Sequence, residues 1–247
     1  LKHFPNYLDL TWHYGIKTLY WFCYILTIYL LAWVLKSVVF SVYTVPTVSM
    51  HPTIKAGDFL VVSKMSYRIR TPEFYPLTNI PFPYYSIKGP FSVKRDDVVV
   101  FKSPLSPAHH PSFKMTLVKR CIGLPGDTLW LFQNRIYTKH KINLPVTDEQ
   151  KKKIIVPQKN MTVKIDSSNI DKWLPMIKRD GARVNEESFS KEIKSYTFRQ
   201  NFYFMSGDNP GLSADSRTWG SIPEEYLIGR ARIIAWSVNR KKIGSRL

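Results

Sequence analysis

Two side chains have the type and the surroundings for nucleophilic chemistry: a serine at position 49 and a lysine at position 119. Ser49 opens the stretch SMHPTIKAGD, about nine residues (49 − 40) after the most hydrophobic part of the chain ends near Phe40. A serine hydroxyl attacks only when a base takes its proton. The six histidines supply no obvious one. His109 and His110 sit in SPAHHPS, which reads as a solvated proline-flanked loop, and there is no H-E-x-x-H or close His/Cys grouping for a metal. A Ser-His-Asp triad assembles from distant positions, so spacing does not exclude one, and nothing here favours it. No G-x-S-x-G elbow and no Gly-rich phosphate loop occurs. SFSK at Ser188–Lys191 matches S-x-x-K but lacks the S-D-N and K-T-G companions, and we discount it.

Lys119 is the better base. In TLVKRCI, strand alternation puts Leu117, Lys119 and Cys121 on one face and Val118, Arg120 and Ile122 on the other. A lysine among apolar neighbours is costly to keep charged, so its pKa falls and the neutral amine can accept a proton. The same pattern equally fits a lysine that snorkels to the rim of the fold and stays charged.

The elements that must hold these residues begin with an apolar segment. Leu19 to Leu35 carries no charge for 17 residues (35 − 19 + 1), the lower edge of what spans a bilayer. Aromatic residues crowd its start and Trp33 its end, as interface anchors do. It is too long for the h-region of a cleaved signal peptide, and no small-x-small site follows closely. The reading is one transmembrane helix over residues 19–40 behind an N-terminal segment 1–18, with a buried core helix as the alternative. Lys2 and Lys17 precede the span and Lys36 follows it, so flanking charge does not set its orientation.

Beyond Phe40 the chain turns β-rich. Short β-branched and aromatic runs, from FLVVSKMSY to GRARIIAWSV, are punctuated by Gly, Pro and Asp. The fold class is mainly β: a coiled, barrel-like catalytic sheet over 41–140 and 200–247, with a lysine-rich inserted domain over 141–199. The net charge of +18 admits nucleic acid or anionic lipid as partners. The insertion lacks the interleaved aromatics of a base-stacking platform, so no nucleic-acid partner is expected. Cys23 lies inside the apolar segment, which leaves no disulfide framework. The aromatic, proline-rich run Phe74–Ile87 either touches lipid headgroups or packs on the sheet.

Four stretches occur in order: SMHPTIKAGD, KRDDVVVFKSP (Lys94–Pro104), LVKRCIGLPGD (Leu117–Asp127) and FMSGDNPGLSADSRTWGSIP (Phe204–Pro223). Together they resemble the successive motifs of bacterial type I signal (leader) peptidases, membrane-anchored Ser-Lys proteases. They cover roughly a quarter of the chain. The resemblance implies removal of signal peptides from exported preproteins, cleavage after a small-x-small site, and no cofactor. It also implies a bacterial cytoplasmic membrane location with the catalytic domain on the outer face. Residue by residue it implies Ser49 as nucleophile and Lys119 as general base. Thr47 would lend its hydroxyl to the oxyanion hole beside the Ser49 N–H. Ser213 would orient the lysine, Asp215 and Arg217 would brace the loop as an ion pair, and Asp208 would be a further structural acid. The last motif departs from the usual Gly-Asp-Asn-Arg-Asp-Asn-Ser at Pro210, Gly211 and Leu212, and Asp96 stands where the second motif usually has glycine. A conjugation-pilus-type processing peptidase, or an inactive membrane-anchored binding protein, would share the fold. Retention of Ser49, Lys119 and Ser213 together favours an active enzyme.

Overall fold

The computed structural model describes residues 7–105, 115–138, 151–182 and 195–247, with side chains from residue 14 onward. His109, His110, Ser188 and Lys191 lie outside the described residues. Helix α1 (Tyr7–Val34) runs into a π-helical turn at Leu35–Val39. Its apolar part, Tyr14–Val39, has 26 residues, mean hydropathy 1.9 and no buried share. At 1.5 Å per residue that is roughly 39 Å, longer than the roughly 30 Å hydrocarbon core. Among the described residues it is the one helix long and apolar enough to cross a membrane. The Lys64 ammonium donates to the Ser37 carbonyl at 2.9 Å, which ties the helix end to the domain.

The strands follow in chain order: β1 (Phe40–Thr44), β2 (Phe59–Ser63), β3 (Arg68–Arg70), β4 (Ser86–Lys88), β5 (Val98–Lys102), β6 (Thr116–Gly123), β7 (Thr128–Phe132), β8 (Arg135–Thr138), β9 (Lys152–Ile155), β10 (Thr162–Lys164), β11 (Ser195–Thr197), β12 (Phe202–Ser206), β13 (Ile222–Pro223) and β14 (Leu227–Trp236). Seven of them form a strongly curled, half-barrel sheet in the order β1-β2-β14-β5-β6-β12-β13. The architecture is mainly β, as the sequence implies. β5 lies at its centre and is buried on both faces. Val98 and Val100 pack with Leu60, Met50 and Ile54, while Val99 and Phe101 pack with Cys121, Met205 and Trp219. Two cores on opposite faces of one strand explain why VVVF reads as an unbroken apolar run rather than an alternating one.

A smaller lobe is built from the sheet β8-β7-β9, the pair β10-β11 and helix α2 (Ile170–Arg179). Pairing of β7 with β9 crosses residue 140, where the composition changes. The sequence shows little helical periodicity in this region, yet α2 is there. Trp173, Met176 and Ile177 supply a narrow buried stripe against Phe198 and Phe204. Lysines on the other face and Pro175 inside the helix mask that stripe in the sequence. The aromatic run Phe74–Ile87 spans the β3–β4 connection with its side chains largely outward; Leu77 is 91% exposed.

Candidate active site

The site forms where two sheet strands and two loops converge. After β1, Val45 N–H donates to Asp58 O at 2.9 Å and Gly57 N–H to Val45 O at 2.7 Å, which closes the segment 45–58 into a loop. Asp58 is fully buried and fixes that closure: it accepts from Lys55 N–H at 2.9 Å and from the Ser237 hydroxyl at 2.6 Å. Gly57 adopts φ +89°, a left-handed conformation that a side chain would strain. Inside the loop Met50 and Ile54 are buried anchors, and Ser49 is held beside them at 6% exposure.

Lys119 sits on β6, opposite Val99 of β5. Burial along β6 follows the alternation expected from the sequence, with Lys119, Cys121 and Gly123 all inward. Lys119 is 3% exposed, and its Nζ donates to Ser49 Oγ. Burial holds its pKa below the ordinary lysine value, and the Arg217 charge adds to that lowering. The negative charges of Asp215 and Asp208 oppose it without winning. A neutral amine against a hydroxyl is the arrangement that proton abstraction needs. Thr47 Oγ1 lies 3.2 Å from Ser49 Oγ.

The third wall is the segment from Ser206 through helix α3 (Ser216–Trp219). Asp215 caps α3 and is completely buried. Burial alone would raise its pKa, but hydrogen bonds hold it low. Its carboxylate accepts from Arg217 Nε at 2.8 Å and Nη2 at 2.7 Å, from Gly207 N–H at 2.8 Å, and from the Ser213 hydroxyl at 2.9 Å. Ser213 thus gives its proton to Asp215, and among the described residues it makes no hydrogen bond to Lys119. Asp208 takes both arms of Arg120, Nε at 2.8 Å and Nη2 at 2.7 Å. This bidentate pair ties the loop to the outer face of β6.

Three contributors are not evident from the sequence. Strand alternation puts Arg120 on the face away from Lys119, where the sequence names no partner for it. Asn209 N–H donates to the Ser49 carbonyl at 3.0 Å and its side chain to Val48 O at 3.3 Å, so it clamps the Ser49 loop. Gly207 permits the approach: a Cβ there would stand 2.2 Å from Ser213 Oγ and 2.5 Å from Ser49 O. Asn209 and Gly207 lie in the same short motif as Asp208, and that position is the only sequence signal they carry. Asp96, in place of the expected glycine, keeps the glycine conformation with φ +68°. Its carbonyl accepts from Arg120 Nη1 at 2.8 Å, so the turn still serves the brace. No group of three or more metal-ligating side chains is present among the described residues.

Comparison with known proteins gives the family. Residues 18–236 match the family described as signal peptidase, peptidase S26. Signal peptidase I of Buchnera aphidicola (subspecies Schizaphis graminum) is 28% identical over 245 residues, 87% of this chain and 73% of the relative. Signal peptidase I of Pseudomonas aeruginosa is 30% identical over 211 residues, 80% of this chain and 65% of the relative. That of Aquifex aeolicus is 26% identical over 227 residues, 82% of this chain and 78% of the relative.

Proposed function

Because the chain belongs to the signal peptidase family, peptidase S26, and is an enzyme of that kind, we propose that it removes signal peptides at the membrane surface with Ser49 as nucleophile and Lys119 as general base. The observation that carries the reading is the hydrogen bond between Lys119 Nζ and Ser49 Oγ at a lysine whose pKa burial lowers. Neutral Lys119 takes the Ser49 proton as Oγ attacks the scissile carbonyl carbon. The oxyanion so formed is met by the Ser49 N–H and the Thr47 hydroxyl. The lysine ammonium then gives its proton to the departing amine, which leaves an acyl-enzyme. Lys119, neutral again, activates the water that hydrolyses the ester. Ser213 gives its own proton to Asp215, so towards Lys119 it can only accept.

The substrate is the exported precursor, cut after a small-x-small site whose small side chains need only shallow pockets. β12 pairs with β6 only from Arg120 onward, so the segment of β6 leading into Lys119 has an edge free for an extended substrate to join. Tyr14–Val39 anchors the chain in the bacterial cytoplasmic membrane, with the catalytic domain on the outer face. The half-barrel sheet forms the catalytic domain, and 141–199 is the insertion that completes the smaller lobe with β7 and β8. Nine residues beyond Phe40 reach at most about 30 Å, so Ser49 works near the height at which a signal peptide leaves the bilayer. The test is to incubate detergent-solubilised wild type and Lys119→Ala with a secretory precursor and sequence the new N-terminus. Cleavage after small-x-small by wild type alone is expected. Equal cleavage by the variant would show that another base operates.

A further inference from the structure

A cavity of about 380 Å³ opens between β9, α2 and the segment 216–221. All four residues of β9 line it. Successive strand residues point to opposite faces, so a cavity touched by all four lies against the strand's edge. Among the described residues β9 ends its sheet, with β7 on its other side. Its outer edge therefore offers the N–H and C=O groups of alternate residues. Phe204 and Met176 give the cavity an apolar floor.

The charge around the cavity is lopsided. Lys152, Lys153 and Lys172 line it and form no ion pair among the described residues, and Asp171 is the one carboxylate among its lining residues. Arg217 also lines it, but its charge is already met by Asp215. Burial first, then repulsion from Lys153 and Lys152, lowers the pKa of Lys172. Cations crowded without carboxylate partners among the described residues, and an open strand edge above an apolar floor, call for an extended occupant with negative side chains.

We propose that this groove binds an acidic, extended segment of the precursor downstream of the cleaved bond, added as a strand to the free edge of β9. The proposal rests on the precursor-cleaving reading above. Backbone groups of the segment would pair with the open edge of β9, and its carboxylates would meet the lysines. The groove is joined to the catalytic loop, because Ser216 and Arg217 line it and Arg217 holds the Asp215 that fixes Ser213.

The test uses two precursors, identical through the cleavage site, with an Asp/Glu-rich or an uncharged Ser/Gln segment after it. Wild type should cleave the acidic one with kcat/KM higher by on the order of tenfold at low salt, a gain that fades as salt screens it. Lys152→Glu with Lys153→Glu should erase the preference while the uncharged precursor is cut at the wild-type rate. Lys152→Glu with Lys153→Glu should also weaken binding of a labelled acidic peptide to the Ser49→Ala protein. Equal kcat/KM for the two precursors in wild type would overturn the proposal, and so would a preference that survives the double reversal. Loss of the preference on adding inorganic phosphate at constant ionic strength would assign the groove to a small anion and equally overturn it. Loss on adding anionic phospholipid vesicles alone would assign the groove to lipid and overturn it too. Cleavage of the uncharged precursor establishes the peptidase reading whatever the groove does; failure on both precursors removes that reading and this proposal with it.

Discussion

Replacing Gly207 by alanine tests whether the close approach of the loop to Ser49 matters. The φ of Gly207 lies outside the left-handed region, so alanine meets contacts there rather than backbone strain. The new methyl would lie 2.2 Å from Ser213 Oγ, 2.6 Å from Ser213 Cβ and 2.5 Å from the Ser49 carbonyl oxygen. Ordinary contact begins near 3.4 Å, so the Ser49 carbonyl must retreat about 0.9 Å (3.4 − 2.5). Its retreat is opposed by the 3.0 Å bond from Asn209 N–H, and Ser213 is held by Asp215 at 2.9 Å. Overpacking of this kind costs about 1–3 kcal/mol. For a chain of this size that lowers Tm by about 2–12 °C, at roughly 2–4 °C per kcal/mol. Moving a nucleophile by about 1 Å can cost about a hundredfold in turnover. The expectation is a kcat about a hundredfold lower with KM little changed, read from a time course of precursor cleavage beside a thermal melt. Gly211→Ala is the control, since a Cβ there meets nothing within 4 Å and its φ is not left-handed. Wild-type kcat in Gly207→Ala would refute the reasoning, because the loop would then not be what holds Ser49 in register.

Other outcomes follow from the charges around Lys119. Its folded pKa is lowered, so between that value and the unfolded lysine value near 10.5 the unfolded chain binds more protons, and stability rises with pH. Urea unfolding of wild type against Lys119→Met should show this slope in wild type only, with the variant inactive yet at least as stable at neutral pH. A flat difference across the alkaline range would mean that the lysine is not desolvated. Arg217→Met leaves the carboxylate of Asp215, fully buried, without its cation, and should cost about 3–5 kcal/mol in chemical denaturation. Loss of that positive charge also lets the Lys119 pKa climb, so the acid limb of the pH–rate curve moves to higher pH. Arg217→Lys should recover only part of the stability, because the two-armed contact is lost.

How far the sequence reveals this molecule depends on the range of the interactions. The inward face of β6 is a local pattern, so the burial of Lys119 beside Cys121 can be read from TLVKRCI. What Lys119 meets cannot be read that way, because Ser49 is 70 residues distant in the chain. The Arg120–Asp208 pair spans 88 residues and the Asn209 clamp on Val48 spans 161. No spacing rule connects such partners, and without ordered motifs they stay invisible. Helix α2 fails to show for a different reason. It has ten residues, and its apolar stripe holds only three buried side chains amid lysines. A helix so short depends on tertiary packing more than on its own propensity, and Phe198 and Phe204 supply that packing from far along the chain. The Ser213 hydroxyl shows a finer limit. The motif locates the residue, but only the fold reveals that its proton goes to Asp215.

The departure in the catalytic loop has a structural reason for being tolerated. Pro210, Gly211 and Leu212 form a single 3-10 turn, and all three are exposed, Leu212 at 67%. The turn closes on itself through Leu212 N–H to Asn209 O at 3.2 Å, and Asn134 Nδ2 donates to Pro210 O at 3.2 Å from outside. The contacts that reach inward come from the residues on either side of it. Gly207, Asp208 and Asn209 precede the turn; Ser213 and Asp215 follow it. A rigid proline turn and a loop of charged residues can close the same gap, because the ends are fixed by a buried carboxylate with six donors: Arg217 Nε and Nη2, Arg217 N–H, Gly207 N–H, Ser213 Oγ and Ser206 Oγ. Exchange of Pro210 or Leu212 therefore changes the surface presented beside the site, whereas exchange of Asp215 removes the acceptor on which the loop converges.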